Sequence, residues 1–297
     1  MKIIFVILHY KTVNDTVECV NSIRENVSYS EYEIVIVDNC SPGYDFKVLS
    51  DHFSENSVVH LMRTDKNLGF AKGNNVGYQY AKKTLNADFI ILLNNDTILK
   101  QQNFLEKILD IYQKNCFAIL GPDVISMSDG EHQNPHTIVN LQNPGRELYY
   151  YRFYWLMAYL GLYIPVKLTI FTFIRWFKGK KEYVEPNWRE SQEGEKLYGA
   201  CLILSPEYVS KFNGLYDKTF MYVEEDILYY IAQKEKLKMV YSPKIQIMHK
   251  EKSSTQADNS TSRKMRLFFY SNMCKSLKVF LELTKNYETE HKTILDD

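Results

Sequence analysis

Short unbroken apolar runs alternate with stretches that are apolar every third or fourth residue along the first 125 positions. Lys2–Leu8 carries a continuous apolar run, and Thr12–Asn26 follows with Val13, Val17, Val20 and Ile23 at helical spacing. Glu33–Val37 reads as a second strand ending at Asp38-Asn39, Val58–Met62 as a third, and Gly69–Lys83 as a helix. Phe89–Leu93 is a fourth strand ending at Asn94-Asn95-Asp96, Asn103–Gln113 a helix, and Cys116–Leu120 a fifth strand stopped by Gly121-Pro122. This alternation predicts an α/β fold, a mostly parallel sheet with helices on both faces. Ligands of such sheets sit beyond the carboxyl ends of the strands. His9-Tyr10, Asp38-Asn39, Arg63–Asn67 and Asn94–Thr97 all fall at those ends.

The pattern changes after residue 126. Ser126–Arg146 is polar and loop-like, and Tyr149–Phe177 is dense in aromatics. From Leu197 the alternation returns: Ala200–Leu204 is strand-like, Pro206–Phe212 and Glu224–Lys234 are short helices, and Met239–Met248 is one or two strands around Pro243. Lys264–Thr284 is a last amphipathic helix. The chain divides at these shifts into 1–125, 126–196, 197–262 and 263–297, read as one continuous α/β domain carrying an insert.

Composition narrows the function. Lys plus Arg and Asp plus Glu number 36 each among 297 residues, so a protein that grips nucleic acid by bulk charge is excluded. Five scattered cysteines with no CxxC read as reduced thiols of a cytoplasmic protein, and the first apolar run is too short for a signal peptide.

Four stretches carry candidate chemistry. Gly69, Gly73, Gly77 and Ala81 recur every fourth residue, which is neither a dinucleotide nor a P-loop fingerprint. Gly73 and Gly77 read as a small face that lets a helix lie close to the sheet. Gly69 precedes the helix, where backbone N–H groups can face an anion or nucleoside, with Asn67, Asn74 and Asn75 adding amides at the same edge. Asn94-Asn95-Asp96-Thr97 follows a buried strand, where a carboxylate and amide oxygens suit Mg²⁺ or Mn²⁺; the competing reading is a helix cap. Glu224-Glu225-Asp226 opens a helix after Phe220, Met221 and Tyr222, as dipole-favoured acids or as a general base in a partly buried setting. His249 ends a strand, either as a ligand or phosphate contact or as a satisfied structural histidine.

Taken in order, these stretches resemble a family 2 glycosyltransferase of the GT-A fold, in its bacterial rhamnosyltransferase-like branch. The residues are Ile34–Asn39 with Ser41, Asn67-Leu68-Gly69-Phe70-Ala71 with Gly73-Asn74-Asn75 and Gly77, and Leu92–Thr97. Further on come Gly199-Ala200, Gly214–Asp217, Phe220–Asp226, and His249 with Ser253-Ser254-Thr255, so that the series spans roughly 2–275. The resemblance implies a nucleotide-sugar-binding half at 1–125 and an acceptor-binding, catalytic half at 197–262. It implies donor contacts from His9, Tyr10, Asp38, Asn39, Asn67, Gly69, Phe70, Lys72, Asn74, Asn75, Asn94 and Asn95. Asp96 and His249 would hold Mn²⁺ or Mg²⁺ on the donor diphosphate. The base falls in Glu224–Asp226, on Glu225 by one alignment and Asp226 by another. The implied reaction is inverting transfer of a sugar, rhamnose being one candidate, from a UDP- or dTDP-sugar. The acceptor would be a hydroxyl of a polyprenyl-diphosphate-linked or polysaccharide glycan. A nucleotidyltransferase and a non-catalytic glycan binder are the alternatives.

The aromatic insert adds a partner. Phe153–Ile174 is apolar except for Lys167, yet that lysine and Pro165 argue against a membrane span. Residues 146–181 hold seven basic side chains and one acid, Glu147. Aromatics and cations beside an apolar face describe helices lying in a membrane surface, so Tyr149–Lys181 is expected to dock the enzyme peripherally on the inner face of the cell membrane. A buried hairpin or a homo-oligomer interface is the other reading.

Overall fold

The computed structural model describes residues 1–135, 144–164, 166–167, 187–251 and 262–295. The expectations for 168–181, the second half of the aromatic insert, and for Ser253-Ser254-Thr255 lie outside the described residues.

Strands β1 (Ile3–His9), β2 (Tyr32–Asp38), β3 (Val59–Arg63) and β4 (Phe89–Asn94) are mutually parallel in the order β3-β2-β1-β4. The sheet continues through β8 (Cys201–Leu204), antiparallel to β4, then β6 (Ile119–Ser126) and β9 (Met239–His249), which are parallel to each other. Two short strands, β5 (Thr97–Ile98) and β7 (Gln192–Glu193), pair antiparallel with β9. Helices α1 (Val13–Asn26), α2 (Asp45–Phe53), α3 (Phe70–Lys83), α4 (Phe104–Asn115), α6 (Pro206–Lys211) and α7 (Glu224–Lys234) accompany this sheet. Register aligns the chemistry-bearing ends: His9 lies opposite Asp38, Asp38 opposite Arg63, and Leu8 opposite Asn94.

Alternate side chains of each central strand go to opposite faces. Ile3, Phe5, Ile7, Ile34 and Ile36 pack with Val20 and Ile23 of α1, Leu49 and Phe53 of α2, and Phe104 and Ile108 of α4. Ile4, Val6, Val35 and Val37 pack with Ala71 and Tyr78 of α3, Tyr208 of α6 and Leu228 of α7. Each large side chain buried this way contributes about 1.5–3 kcal/mol, and a one-residue slip would reverse both faces. The small face of α3 serves the close approach its spacing implies. A Cβ on Gly73 would sit 2.6 Å from Leu8 Cδ1, and one on Gly77 2.5 Å from Val6 Cγ1.

Three expectations need correction. The fifth strand does not stop at Gly121-Pro122 but runs through them to Ser126. The register between β6 and β9 shifts there, from Pro122 opposite Ser242 to Asp123 opposite Gln246, so both Pro122 and Pro243 sit at an irregularity where a ladder N–H is not required. Cys116 does not begin that strand; it closes α4 in a left-handed conformation, φ 44°, with its N–H on Tyr112 O. Helix α2 was not expected, because only Leu49 and Phe53 of its nine residues are buried and its polar majority reads as loop.

The chain forms two compact units. The sheet unit comprises the described residues of Met1–Ile138, Pro186–Phe220 and Glu224–Ala257. The second comprises those of Val139–Glu185, Met221–Val223 and Asp258–Asp297. In it α5 (Pro144–Tyr159) packs on α8 (Ser262–Leu295) through Tyr151 and Tyr154 against Phe269 and Tyr270, and Arg263 donates to the carbonyls of Ala158 and Tyr159. Among the described residues no helix is long and apolar enough to cross a membrane.

Candidate active site

The carboxyl ends of β1 and β2 place His9 and Asp38 side by side, both fully buried. Asp38 Oδ1 accepts from the Ser41 N–H at 2.9 Å, and Arg63 Nε lies 3.3 Å from Oδ2. His9 Nδ1 meets Thr16 Oγ1 at 2.7 Å, while Nε2 is 3.8 Å from Asp45 Oδ2. His9 Nε2 and Asp38 Oδ2 are buried without a hydrogen bond among the described residues. Burial lowers the His9 pKa, favouring the neutral ring despite Asp38 and Asp45. Buried polar atoms without a hydrogen bond are costly, a cost that the nearby Arg63 guanidinium offsets in part for Asp38. Immediately beyond these ends, Lys11 and Cys40 turn the chain at φ 67° and 59°.

The asparagines build this edge through protein contacts. Asn39 accepts from the Leu68 N–H at 2.8 Å and donates to Asn67 Oδ1 and Gly69 O, both at 3.1 Å. Asn75 reads the Leu215 backbone both ways, at 2.7 Å in each direction. Asn74 donates to Phe70 O, Asn95 to Thr12 and Thr16 Oγ1, and the Asn94 carbonyl accepts from Thr97 Oγ1. The first helical N–H of α3 is also taken: Phe70 N donates to Phe220 O at 2.8 Å, and a Cβ on Gly69 would lie 2.1 Å from that oxygen. That one N–H is thus used within the protein. Lys72 is exposed on α3, and Tyr10 is half-buried with Lys11 Nζ 5.0 Å above its ring.

Asp96 and His249 meet because β5 pairs with the end of β9, putting Thr97 opposite His249. His249 Nε2 lies 3.2 Å from Asp96 Oδ1, both residues being nearly buried. These two donors fit a divalent cation of the kind that takes one or two carboxylates and completes its shell with substrate phosphates and water. No group of three or more His, Cys, Asp or Glu side chains among the described residues is arranged to hold a metal.

The three acids at the start of α7 have different partners. Glu224 accepts from Thr219 Oγ1 at 2.9 Å, and burial pushes its pKa up to about 7. Glu225 accepts from the Gly199 N–H at 3.0 Å; burial raises its pKa, and a Cβ on Gly199 would sit 2.8 Å from the same carboxylate oxygen. Asp226 is raised by burial against the pull of Lys196, whose ammonium is 2.7 Å away and nearly fully buried. Tyr222 and Val223 lead into this turn at φ 71° and 73°, a conformation that is strained for a β-branched residue. Tyr198 is near both the acids and the Asp96–His249 pair. Its ring meets His249 edge-on at 5.8 Å, and burial together with Glu225, Glu251 and Asp96 raises its phenol. Tyr198, Lys196, Gln133 and Glu251 were missed by sequence reasoning, since no motif or spacing marks them.

The profile of glycosyl transferase family 2 matches residues 4–175, more than half of the chain. The low-salt glycan biosynthesis hexosyltransferase Agl10 of Haloferax volcanii is 22% identical over 246 residues, which cover 83% of this chain and 66% of that protein. The crystal structure of S. aureus TarS 1–349 superimposes on 84% of this chain and 60% of its own with a TM-score of 0.54 at 10% identity, a likeness of fold. The chain thus spans less than two thirds of the length of either. The mostly parallel sheet with helices on both faces is that of the GT-A fold. By the match of its profile, the chain belongs to glycosyl transferase family 2.

Proposed function

We propose that this protein transfers a hexose-type sugar from a pyrimidine nucleoside diphosphate donor, a UDP- or dTDP-sugar, to a hydroxyl of a glycan under assembly. The observation that carries the reading is the grouping of Glu225, Asp96 and His249 around Tyr198, which makes a candidate base and a candidate cation site neighbours. The hexosyltransferase description of the haloarchaeal relative supports the sugar class and glycan assembly.

Asp38, with a buried oxygen lacking a hydrogen bond, suits the ring N–H of uracil or thymine, and His9 beside it adds a second polar contact. Asp96 and His249 would hold Mn²⁺ or Mg²⁺. Such a cation supplies charge neutralisation for a departing diphosphate. Glu225 takes the proton from the acceptor hydroxyl, its pKa raised towards the working range of a general base. Asp226 is bound to Lys196 and Glu224 to Thr219, whereas Glu225 accepts from backbone N–H groups, that of Gly199 among them. A single displacement assisted by one base inverts the anomeric carbon. Rhamnose is one donor sugar this reading admits, and the acceptor is a polyprenyl-diphosphate-linked or polysaccharide chain presented at a membrane surface.

The test is a thermal-shift screen of UDP-, dTDP- and GDP-sugars with and without Mn²⁺. A pyrimidine donor should stabilise the wild type in a Mn²⁺-dependent way, and Asp96→Ala should lose that dependence. Equal stabilisation by all three donors in excess chelator contradicts the reading.

A further inference from the structure

The turn after β6 supplies three consecutive side chains to the site, and each is anchored at both ends. His132 Nδ1 donates to Asp123 Oδ1 at 2.8 Å, and its ring stacks on Trp188 with centroids 3.4 Å apart. Asn134 is fully buried, donates to Pro122 O at 2.8 Å and accepts from the Tyr198 N–H at 3.0 Å. Between them the Gln133 N–H donates to Val124 O at 2.8 Å, and the Gln133 side chain reaches His249. The end of the amide that faces the histidine is settled by a third residue. Gln133 Nε2 donates to Glu251 Oε1, and a carboxylate accepts only, so Oε1 is the atom 2.9 Å from His249 Nδ1. That oxygen can only accept, so Nδ1 must carry a proton.

We propose that Gln133, steadied by Glu251, is a positioning residue that keeps the proton on His249 Nδ1 and thereby leaves Nε2, the nitrogen beside Asp96, open to a cation. This deepens the proposed function, since a histidine binds a cation through the nitrogen that carries no proton, and the hydrogen bond at the other nitrogen selects which one that is. The strap works from the side of the imidazole away from Asp96, so Gln133 need touch neither donor nor cation. Its neighbour Asn134 holds the backbone at Tyr198, one residue before the Gly199 N–H that Glu225 accepts from. One short turn therefore orders both halves of the site.

The experiment compares wild type, Gln133→Met, and the exchange Gln133→Glu with Glu251→Gln. The exchange keeps an acceptor at His249 Nδ1 and a hydrogen bond between positions 133 and 251. In the metal-free protein, at a pH where imidazoles are neutral, ¹⁵N NMR of labelled histidine should show the Nδ1–H tautomer of His249 in wild type and in the exchange variant. Gln133→Met should shift His249 to a mixture of tautomers. Mn²⁺ titration in the presence of UDP, read by the EPR signal of free Mn²⁺, should show roughly 10- to 100-fold weaker binding in Gln133→Met and recovery in the exchange variant. An unchanged tautomer in folded Gln133→Met overturns the positioning role. If wild type binds no Mn²⁺ the cation reading fails instead, and the tautomer measurement still decides the role of Gln133.

Discussion

Three consecutive acids open α7, and each has a different fate set by its nearest donor. Glu224 is the one whose titration stability can report. Its folded pKa of about 7 lies above the roughly 4.3 of an unfolded chain. The stability it allows is therefore complete below the unfolded value and is lost as pH rises through about 7, where folding must hold an ionised carboxylate in a poorly hydrated place. Glu224→Gln carries no such titration. Urea unfolding at pH 5 and pH 8 should show the wild type losing stability relative to Glu224→Gln at the higher pH; an equal difference at both would show that Glu224 is well solvated. The run of acids was legible in the sequence, whereas their separate roles were not. Lys196, Thr219 and Gly199 reach them across 30, 5 and 26 residues of chain, and no local pattern marks such partners.

At the scale of elements, α3 is placed by what it lacks. Alanine in a helix interior is ordinarily favoured over glycine by about 1 kcal/mol. At Gly77 the added methyl would meet Val6 and Val37, β-branched side chains of two strands with little rotamer freedom, at 2.5 and 2.9 Å. Overpacking there should cost about 1–3 kcal/mol, so Gly77→Ala should unfold at lower urea than wild type. Gly73→Ala meets chiefly the flexible end of Leu8 and should be milder. A Gly77→Ala protein as stable as wild type would mean that α3 stands off the sheet. The elements β1 to β4 with α1, α3 and α4 were readable because the strands are near-continuous apolar runs between two cores and each helix buries one stripe. Within the β6–β9 pair β9 was readable, but the second half of β6 was not, because Pro122 at the register shift imitates a stop. That same pair brings Gln133 and Glu251 to His249, and so hid half of the site. The asparagines were readable as site formers; that their amides also hold loops together is not marked by composition.

For the whole molecule, neutral net charge conceals a local imbalance. The inner face of α5 packs on α8 through Leu148, Tyr151, Tyr154 and Ala158, while Tyr149, Phe153, Leu156, Tyr159 and Leu160 are exposed on the other, with Arg146 and Arg152 among them. A helix apolar on both faces calls for a cover on the second. The expectation from the sequence is that anionic lipid covers it, a second copy of the chain being the other reading. Each cation near such a surface contributes on the order of 1 kcal/mol. Wild type should co-sediment with anionic vesicles and release partly at high salt, and Arg146→Glu with Arg152→Glu should bind clearly less. Indifference to vesicles together with a dimer in solution would assign the face to self-association. The account as a whole stands on glycosyl transfer with Glu225 as base, and the most direct test is the rate at which nucleoside diphosphate is released from a UDP- or dTDP-sugar in the presence of Mn²⁺ and a glycan acceptor whose hydroxyl takes the sugar. Wild type should release it. Glu225→Gln should be slower by a factor of about 10² or more with donor affinity nearly intact, and Asp226→Asn should be impaired far less. A Glu225→Gln enzyme as fast as wild type, or the whole loss appearing in Asp226→Asn, would contradict it.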